Sequence, residues 1–193
     1  MKGTPLIILA SRSPRRRELL AQVGLAFAVA PADVDETVRP GESPDAYAER
    51  LALEKARAAA KGREKGTVIA ADTIVVADGA IFGKPADENE ARRMLHVLSG
   101  RRHEVLTALA VLDVSTERTS VRTSVTQVWF RDLSEREIDA YIATGEPLDK
   151  AGAYGIQERG ALLVERIEGC YSNVVGLPLS LLGEMLREFG VYR

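Results

Sequence analysis

Leu6-Ile7-Ile8-Leu9-Ala10-Ser11-Arg12-Ser13-Pro14-Arg15-Arg16-Arg17-Glu18-Leu19-Leu20 passes from a short apolar run through a hydroxyl-rich turn into a basic stretch with apolar periodicity. The run 6–10 predicts a strand. Ser13 is a good N-cap, Pro14 suits the first helical position, and Leu19, Leu20 and Val23 supply an apolar stripe, so a helix is predicted over 14–23, closed by Gly24. Three arginines in a first turn oppose the helix dipole unless an anion or an acidic surface compensates them. The turn is therefore expected to offer open backbone N–H groups beside guanidinium forks, a site for a phosphate chain. A solvated basic turn reads equally well from the run alone.

Strands and helices keep alternating along the chain. Ser43 and Pro44 open a predicted helix that runs to about Lys61, and its expected inward stripe is Ala48, Leu51, Ala52, Lys55, Ala58 and Ala59. Thr67 to Ala77 is nearly continuous Val, Ile and Ala, as in a strand buried on both faces, and Asp78-Gly79 signals a hairpin into Ala80-Ile81-Phe82. Asp87 with Glu90, and Ser134 with Glu137, have capping-box spacing before apolar stripes. Strands are predicted over 105–112, 121–130 and 162–167, and a last helix over 178–189 with Leu182, Met185, Leu186 and Phe189 inward. Hairpins demand antiparallel neighbours and strand–helix–strand units favour parallel ones, so the fold class is α/β with a mixed sheet. No linker or repeat interrupts it, and one domain over 1–193 is expected.

Composition narrows the function classes. With 193 residues, 46% of them hydrophobic, the chain can bury a sizeable core. No run approaches the ~20 apolar residues of a membrane helix, and a cytoplasmic protein with no membrane partner is expected. Cys170 is the only cysteine, which excludes an internal disulfide, and two histidines make a histidine-rich zinc site improbable. A net charge of -2 argues against a surface built for nucleic acid, so anion binding must be local.

Several residues stand out against this background. Asp72 sits inside Val68-Ile69-Ala70-Ala71-Asp72-Thr73-Ile74-Val75-Val76, where an ionised carboxylate is costly without a cation, a metal or an open cleft. Pairing with an arginine or capping a backbone would be its purely structural alternatives. Lys55 points toward the body from its helical position, to snorkel or to meet a ligand. Lys84 is held between Gly83 and Pro85, and Gln157 ends a glycine-bearing loop where its amide could read a base edge. Glu36 lies in a polar loop beside Asp35, and the two are not separable by sequence.

The opening Ala10-Ser11-Arg12-Ser13-Pro14-Arg15-Arg16, then Ala71-Asp72-Thr73, Gly83-Lys84-Pro85, Leu98-Ser99-Gly100, Pro147 through Gln157 and Val175-Gly176-Leu177-Pro178 together resemble the ordered signatures of the Maf family of nucleoside triphosphate pyrophosphatases. The resemblance implies an elongated, two-lobed, inosine triphosphatase-like body with a central twisted mixed sheet and a deep cleft between the lobes. It implies catalytic roles for Asp72, Lys55, Lys84 and Glu36, with Glu36 and Asp72 as ligands of Mg²⁺ or Mn²⁺, and substrate contacts from Ser11, Arg15, Arg16, Thr73 and Gln157. The absence of histidine and cysteine clusters agrees with a hard cation. Arg15, Thr73 and Gln157 together are similar to the branch acting on dTTP and UTP, whereas a branch acting on 7-methyl-GTP would carry tryptophan, glutamine and glutamate there. The partner implied is a small nucleotide, with a homodimer left open. The contrasting reading is a non-catalytic regulator of cell division that binds nucleotide or nucleic acid.

Overall fold

The structure, a computed structural model, describes residues 6–192. Strand β1 (Ile7–Leu9) leads through the Ser11–Ser13 turn into α1 (Pro14–Gln22), and the Ser13 hydroxyl caps it by accepting from the Arg16 amide. Strand β2 (Phe27–Val29) follows, then α2 (Pro44–Ala60), capped by Ser43. Strand β3 (Thr67–Ala77) turns through Asp78-Gly79 into β4 (Ala80–Phe82). Beyond α3 (Glu88–Leu98) come the long strands β5 (Arg102–Asp113) and β6 (Thr119–Phe130), then α4 (Glu135–Ile142). Three 3-10 turns, Glu146–Asp149, Ala151–Ala153 and Glu158–Leu162, precede β7 (Val164–Glu168), α5 (Tyr171–Val175) and α6 (Leu179–Glu188).

The seven strands form one sheet in the order β2-β1-β3-β5-β6-β7, with β4 on β3. β1 runs parallel to β2 and to β3 (Ile7 opposite Thr67, Leu9 opposite Ile69), while β4 is antiparallel to β3 and β7 antiparallel to β6. The sheet is mixed, as the combination of hairpins and crossovers requires.

The described residues resolve into two compact units: 6–72, 107–124 and 176–192 in the first, and 73–106 and 125–175 in the second. β3, β5 and β6 each give residues to both. In the first unit Ile8, Leu9, Leu20, Leu51, Ile69, Leu109 and Leu182 are fully buried. The second has a core of Val75 from β3, Ala91, Leu95 and Leu98 from α3, Val128 and Phe130 from β6, Ile138 and Tyr141 from α4, and Ala153 and Tyr154 from the turns. Each large apolar side chain removed from water in these cores contributes about 1.5–3 kcal/mol.

Local differences from the sequence expectation have local causes. On α2 it is Tyr47, Ala48, Leu51, Ala52, Ala56 and Ala59 that are buried, and Ala58 is exposed. The inward face is thus rotated toward Tyr47 and Ala56. The box at α3 is half formed. Asp87 accepts from the Glu90 amide, but the Glu90 carboxylate takes the Ala86 amide at 2.6 Å rather than that of Asp87. The box at α4 is complete, with the Ser134 and Glu137 side chains each accepting from the other's amide. Leu162 is 71% exposed in a 3-10 turn, so the strand predicted from 162 begins at Val164. Phe189 is only half-buried and lies under the Arg118 guanidinium, 4.4 Å from its ring centre. Trp129 likewise carries the Arg166 guanidinium at 3.8 Å, across the β6–β7 pair.

Candidate functional site

Asp72 ends the first unit's share of β3 and is 8% exposed. The cation that its burial demands is Lys55, whose Nζ lies 2.6 Å from Asp72 Oδ1. The same ammonium lies 2.7 Å from Glu36 Oε1. Two carboxylates from distant stretches of chain therefore converge on one lysine, whose side chain is only 13% exposed. The ambiguity between Asp35 and Glu36 resolves here. Asp35 Oδ1 turns back to accept from the Thr37 amide at 2.9 Å, and it is Glu36 that reaches Lys55.

The turn before α1 belongs to the same unit. Arg16 Nη1 donates to the buried Ser11 hydroxyl at 3.4 Å, and Arg16 Nε to the Gly176 carbonyl at 2.7 Å. Burial pulls the Arg16 guanidinium below its ordinary value, against the negative charge of Asp72, which holds it up; Arg15 pushes it down and Glu36 up. The arginine remains a cation and shares one electrostatic environment with both acids. The expectation of open N–H groups in this turn needs correction at two positions: the Ser13 amide donates to Ser11 Oγ at 3.2 Å and the Arg16 amide to Ser13 Oγ at 3.3 Å. The Ser-x-Ser spacing satisfies them locally. Arg12 pairs with Asp33, and Arg15 is half-buried.

Thr73, Lys84 and Gln157 belong to the second unit. Thr73 is half-buried on β3, Lys84 is exposed in its Gly-Pro turn, and Gln157 is half-buried at the start of the last 3-10 turn. Two of the sequence-predicted segments meet there, because the Gly83 carbonyl accepts from the Gly152 amide at 3.0 Å. The turn segment is braced from below. Lys150 Nζ donates to the Glu146 carbonyl and to Asp149 Oδ1, both at 2.7 Å, the Tyr141 hydroxyl accepts from the Gly155 amide at 3.2 Å, and the Tyr154 hydroxyl lies 2.7 Å from His103 Nε2. Tyr154, His103 and Phe130 pack edge to face in this core.

A lysine thus stands between two carboxylates, one of them in a buried strand, beside an arginine and a buried serine. The family described as Maf-like protein matches residues 6–189. The chain belongs to the Maf-like family. A relative from Syntrophomonas wolfei named dTTP/UTP pyrophosphatase is 52% identical over 182 residues, covering 94% of this chain and 96% of its own. Relatives of the same name from Moorella thermoacetica and Anaeromyxobacter dehalogenans are each 54% identical, and each alignment covers 96% of this chain and 95% of the relative. Among solved structures, the Staphylococcus aureus Ham1 protein matches with a TM-score of 0.56 at 18% identity, covering 95% of this chain and 99% of that one. That likeness is one of fold.

In this Maf-like chain the sequence reading passes over Tyr47 and Arg50, whose side chains end on the Glu36 loop. Burial lifts the Tyr47 hydroxyl to about 12, with Asp72 and Glu36 adding to the effect, so it stays protonated and able to donate. The available signal was a tyrosine in an alanine-rich helix three residues before an arginine, a pair that shares one helix face.

Proposed function

We propose that this chain hydrolyses nucleoside triphosphates, dTTP and UTP foremost and modified pyrimidine nucleotides with them, to the monophosphate and pyrophosphate. The observation that carries the reading is the convergence of Asp72 and Glu36 on Lys55 beside Arg16 and Ser11, in a chain about half identical to proteins named for that reaction. Cleavage between the α and β phosphates needs an activated water, neutralised phosphate oxygens and a stabilised leaving group. Asp72 is the acceptor for the water's proton. Lys55 and Arg16 supply positive charge to the phosphates, and the Ser11 hydroxyl supplies a donor. The family resemblance adds Lys84 to phosphate binding, and Arg15, Thr73 and Gln157 to recognition of the base. A pyrimidine suits Gln157 and Thr73, since an amide and a hydroxyl match an edge that both donates and accepts.

The acids also fit a hard divalent cation. Their oxygens already share one positive charge, the Lys55 ammonium, and neither imidazole nor thiol stands among them. Among the described residues no cluster of three or more His, Cys, Asp or Glu is arranged for a metal. Asp72 and Glu36 would hold such an ion by their carboxylate oxygens, the donor type that Mg²⁺ prefers and Mn²⁺ accepts. When bound, such an ion neutralises phosphate charge and lowers the pKa of a coordinated water. No helix among the described residues is long and apolar enough to cross a membrane, and the cytoplasm, where nucleotide pools are held, is the compartment we assign.

The test is incubation with dTTP, UTP, 7-methyl-GTP and purine triphosphates in Mg²⁺, scoring pyrophosphate against orthophosphate. Pyrophosphate from dTTP and UTP is expected. Equal turnover of 7-methyl-GTP overturns the base assignment, and no pyrophosphate from any nucleotide overturns the reading.

A further inference from the structure

Tyr47 and Arg50 play no part in the chemistry above, yet both end on one three-residue stretch of backbone. The Tyr47 hydroxyl donates to the Glu36 carbonyl at 2.8 Å. Arg50 Nη1 donates to the Asp35 carbonyl at 3.4 Å and Nη2 to the Thr37 carbonyl at 3.0 Å. Three successive carbonyls are thus held from a single helix face, with Glu36 in the middle. The holding groups are themselves fixed. Arg50 Nε and Nη2 fork onto the two Glu42 oxygens at 2.6 and 2.8 Å, with side chains only 11% and 9% exposed. Tyr47 is 8% exposed, and the Arg50 guanidinium stands 5.4 Å from its ring centre.

The segment they hold has no regular secondary structure. Carbonyls in such exposed loops are ordinarily satisfied by water, so one buried and one largely buried side chain engaged there fix a position that solvent would leave loose. The Glu36 side chain is 55% exposed, and packing alone does not confine its carboxylate. A mobile Glu36 would visit Lys55 only part of the time. An acid required at one point beside Asp72 gains from a backbone that is already in place.

We propose that Tyr47 and Arg50 are positioning residues for Glu36, fixing the 35–37 backbone so that the Glu36 carboxylate, not that of Asp35, meets Lys55 beside Asp72. The proposal rests on the role given to Glu36 above. Arginine is required at position 50 because its planar fork reaches two carbonyls and a carboxylate together, which an ammonium cannot do.

The experiment uses Tyr47→Phe, which keeps the ring, and Arg50→Lys, which keeps the charge, each made alone and with Glu36→Gln. Hydrogen exchange is read at the Thr37 and Arg39 amides, which are bonded within the loop at 2.9 and 3.0 Å. Their exchange should quicken by about tenfold, the equivalent of one lost hydrogen bond, while amides of α2 stay protected. Pyrophosphate release should fall about tenfold in kcat with little change in nucleotide KM, and neither variant should cost anything further in the Glu36→Gln background. Unchanged loop exchange overturns the proposal, as does lost protection across α2, which would make the pair ordinary packing residues. An equal fold-loss with and without Glu36 overturns it too. If the wild-type chain releases no pyrophosphate, the proposed function fails, and the exchange measurement still decides whether the pair holds the loop.

Discussion

Lys55 Nζ and Asp72 Oδ1 stand 2.6 Å apart, side chains 13% and 11% exposed, joining α2 to the middle of a strand buried along nearly its whole length. A carboxylate there would be costly without its partner, and the partner arrives from the helix that also reaches the Glu36 loop. Asp72→Asn tests what the charge does. The amide is isosteric and can still accept from Lys55, while Glu36 continues to balance the ammonium, so folding should survive with a melting temperature within a few degrees of wild type. Removal of a proton acceptor typically costs about 10²- to 10⁴-fold in rate, and pyrophosphate release should fall by that much. A variant with wild-type turnover would remove Asp72 from the chemistry.

Lys55→Met makes the complementary prediction. The ammonium sits between two carboxylates at 2.6 and 2.7 Å and competes with any other cation for them. Without it, and without nucleotide, Mn²⁺ should bind about tenfold more tightly, a difference of about 1.4 kcal/mol that one nearby charge readily supplies. The free ion, counted by its paramagnetic resonance signal during titration, is the measurement. Affinity unchanged or weakened would show that these acids are not where the metal binds.

How much of this was legible in the sequence depended on how local each signal was. β3 was read at its observed bounds, Thr67–Ala77, because a run buried on both faces has no polar alternation to blur it. Asp72 stood out for the same reason. β2 escaped because Phe27–Val29 is only three residues long, at the edge of the sheet and half exposed. Lys55 was legible as an inward lysine, but its two partners were not, since pairing across 17 residues of sequence is set by packing rather than periodicity. The Tyr47 and Arg50 contacts were invisible for a further reason. They end on backbone carbonyls, which every residue type possesses, so nothing in the letters at 35–37 announces them.

Gly152 marks a close approach. It holds a left-handed φ of 67°, and a Cβ there would lie 2.7 Å from Val75 Cγ2 and 2.9 Å from its Cβ. Gly152→Ala should therefore destabilise by about 1–3 kcal/mol through overpacking, with the left-handed backbone adding to it. Val75→Ala is destabilising alone because Val75 lies in the second unit's core. The double variant should lose somewhat less than the two losses added, since truncating the valine removes the contact with Cγ2 at 2.7 Å, while the Cβ of position 75 stays at 2.9 Å and keeps part of the cost. Denaturant unfolding of all four proteins measures the coupling. Strict additivity would show that the valine methyls carry none of the cost, leaving it to the Cβ contact and the left-handed backbone.

His103 gives the fold a pH dependence whose sign is fixed by its surroundings. It is 2% exposed between Phe130 and Tyr154, and burial lowers its pKa from 6.5 to about 4, so the folded protein holds it neutral. The unfolded chain takes up a proton as pH falls through 6.5 and the folded chain does not until about 4. Stability from this residue is thus complete above about 6.5 and is lost between there and about 4, for roughly 3 kcal/mol at most. His103→Leu removes this term but leaves the buried Tyr154 hydroxyl without its partner, a cost of about 1–3 kcal/mol that is independent of pH in this range. Leucine also removes the buried His103 Nδ1, which has no hydrogen-bond partner, so the two costs oppose at pH 7, and the stability of wild type relative to His103→Leu should fall by about 2 kcal/mol on going to pH 5. Carboxylates that titrate in the same range act alike in both proteins and cancel from the comparison. A difference that stays constant between the two pH values would mean that His103 accepts its proton in the folded core as readily as in water, and that the edge-to-face cluster around it opens to let solvent in.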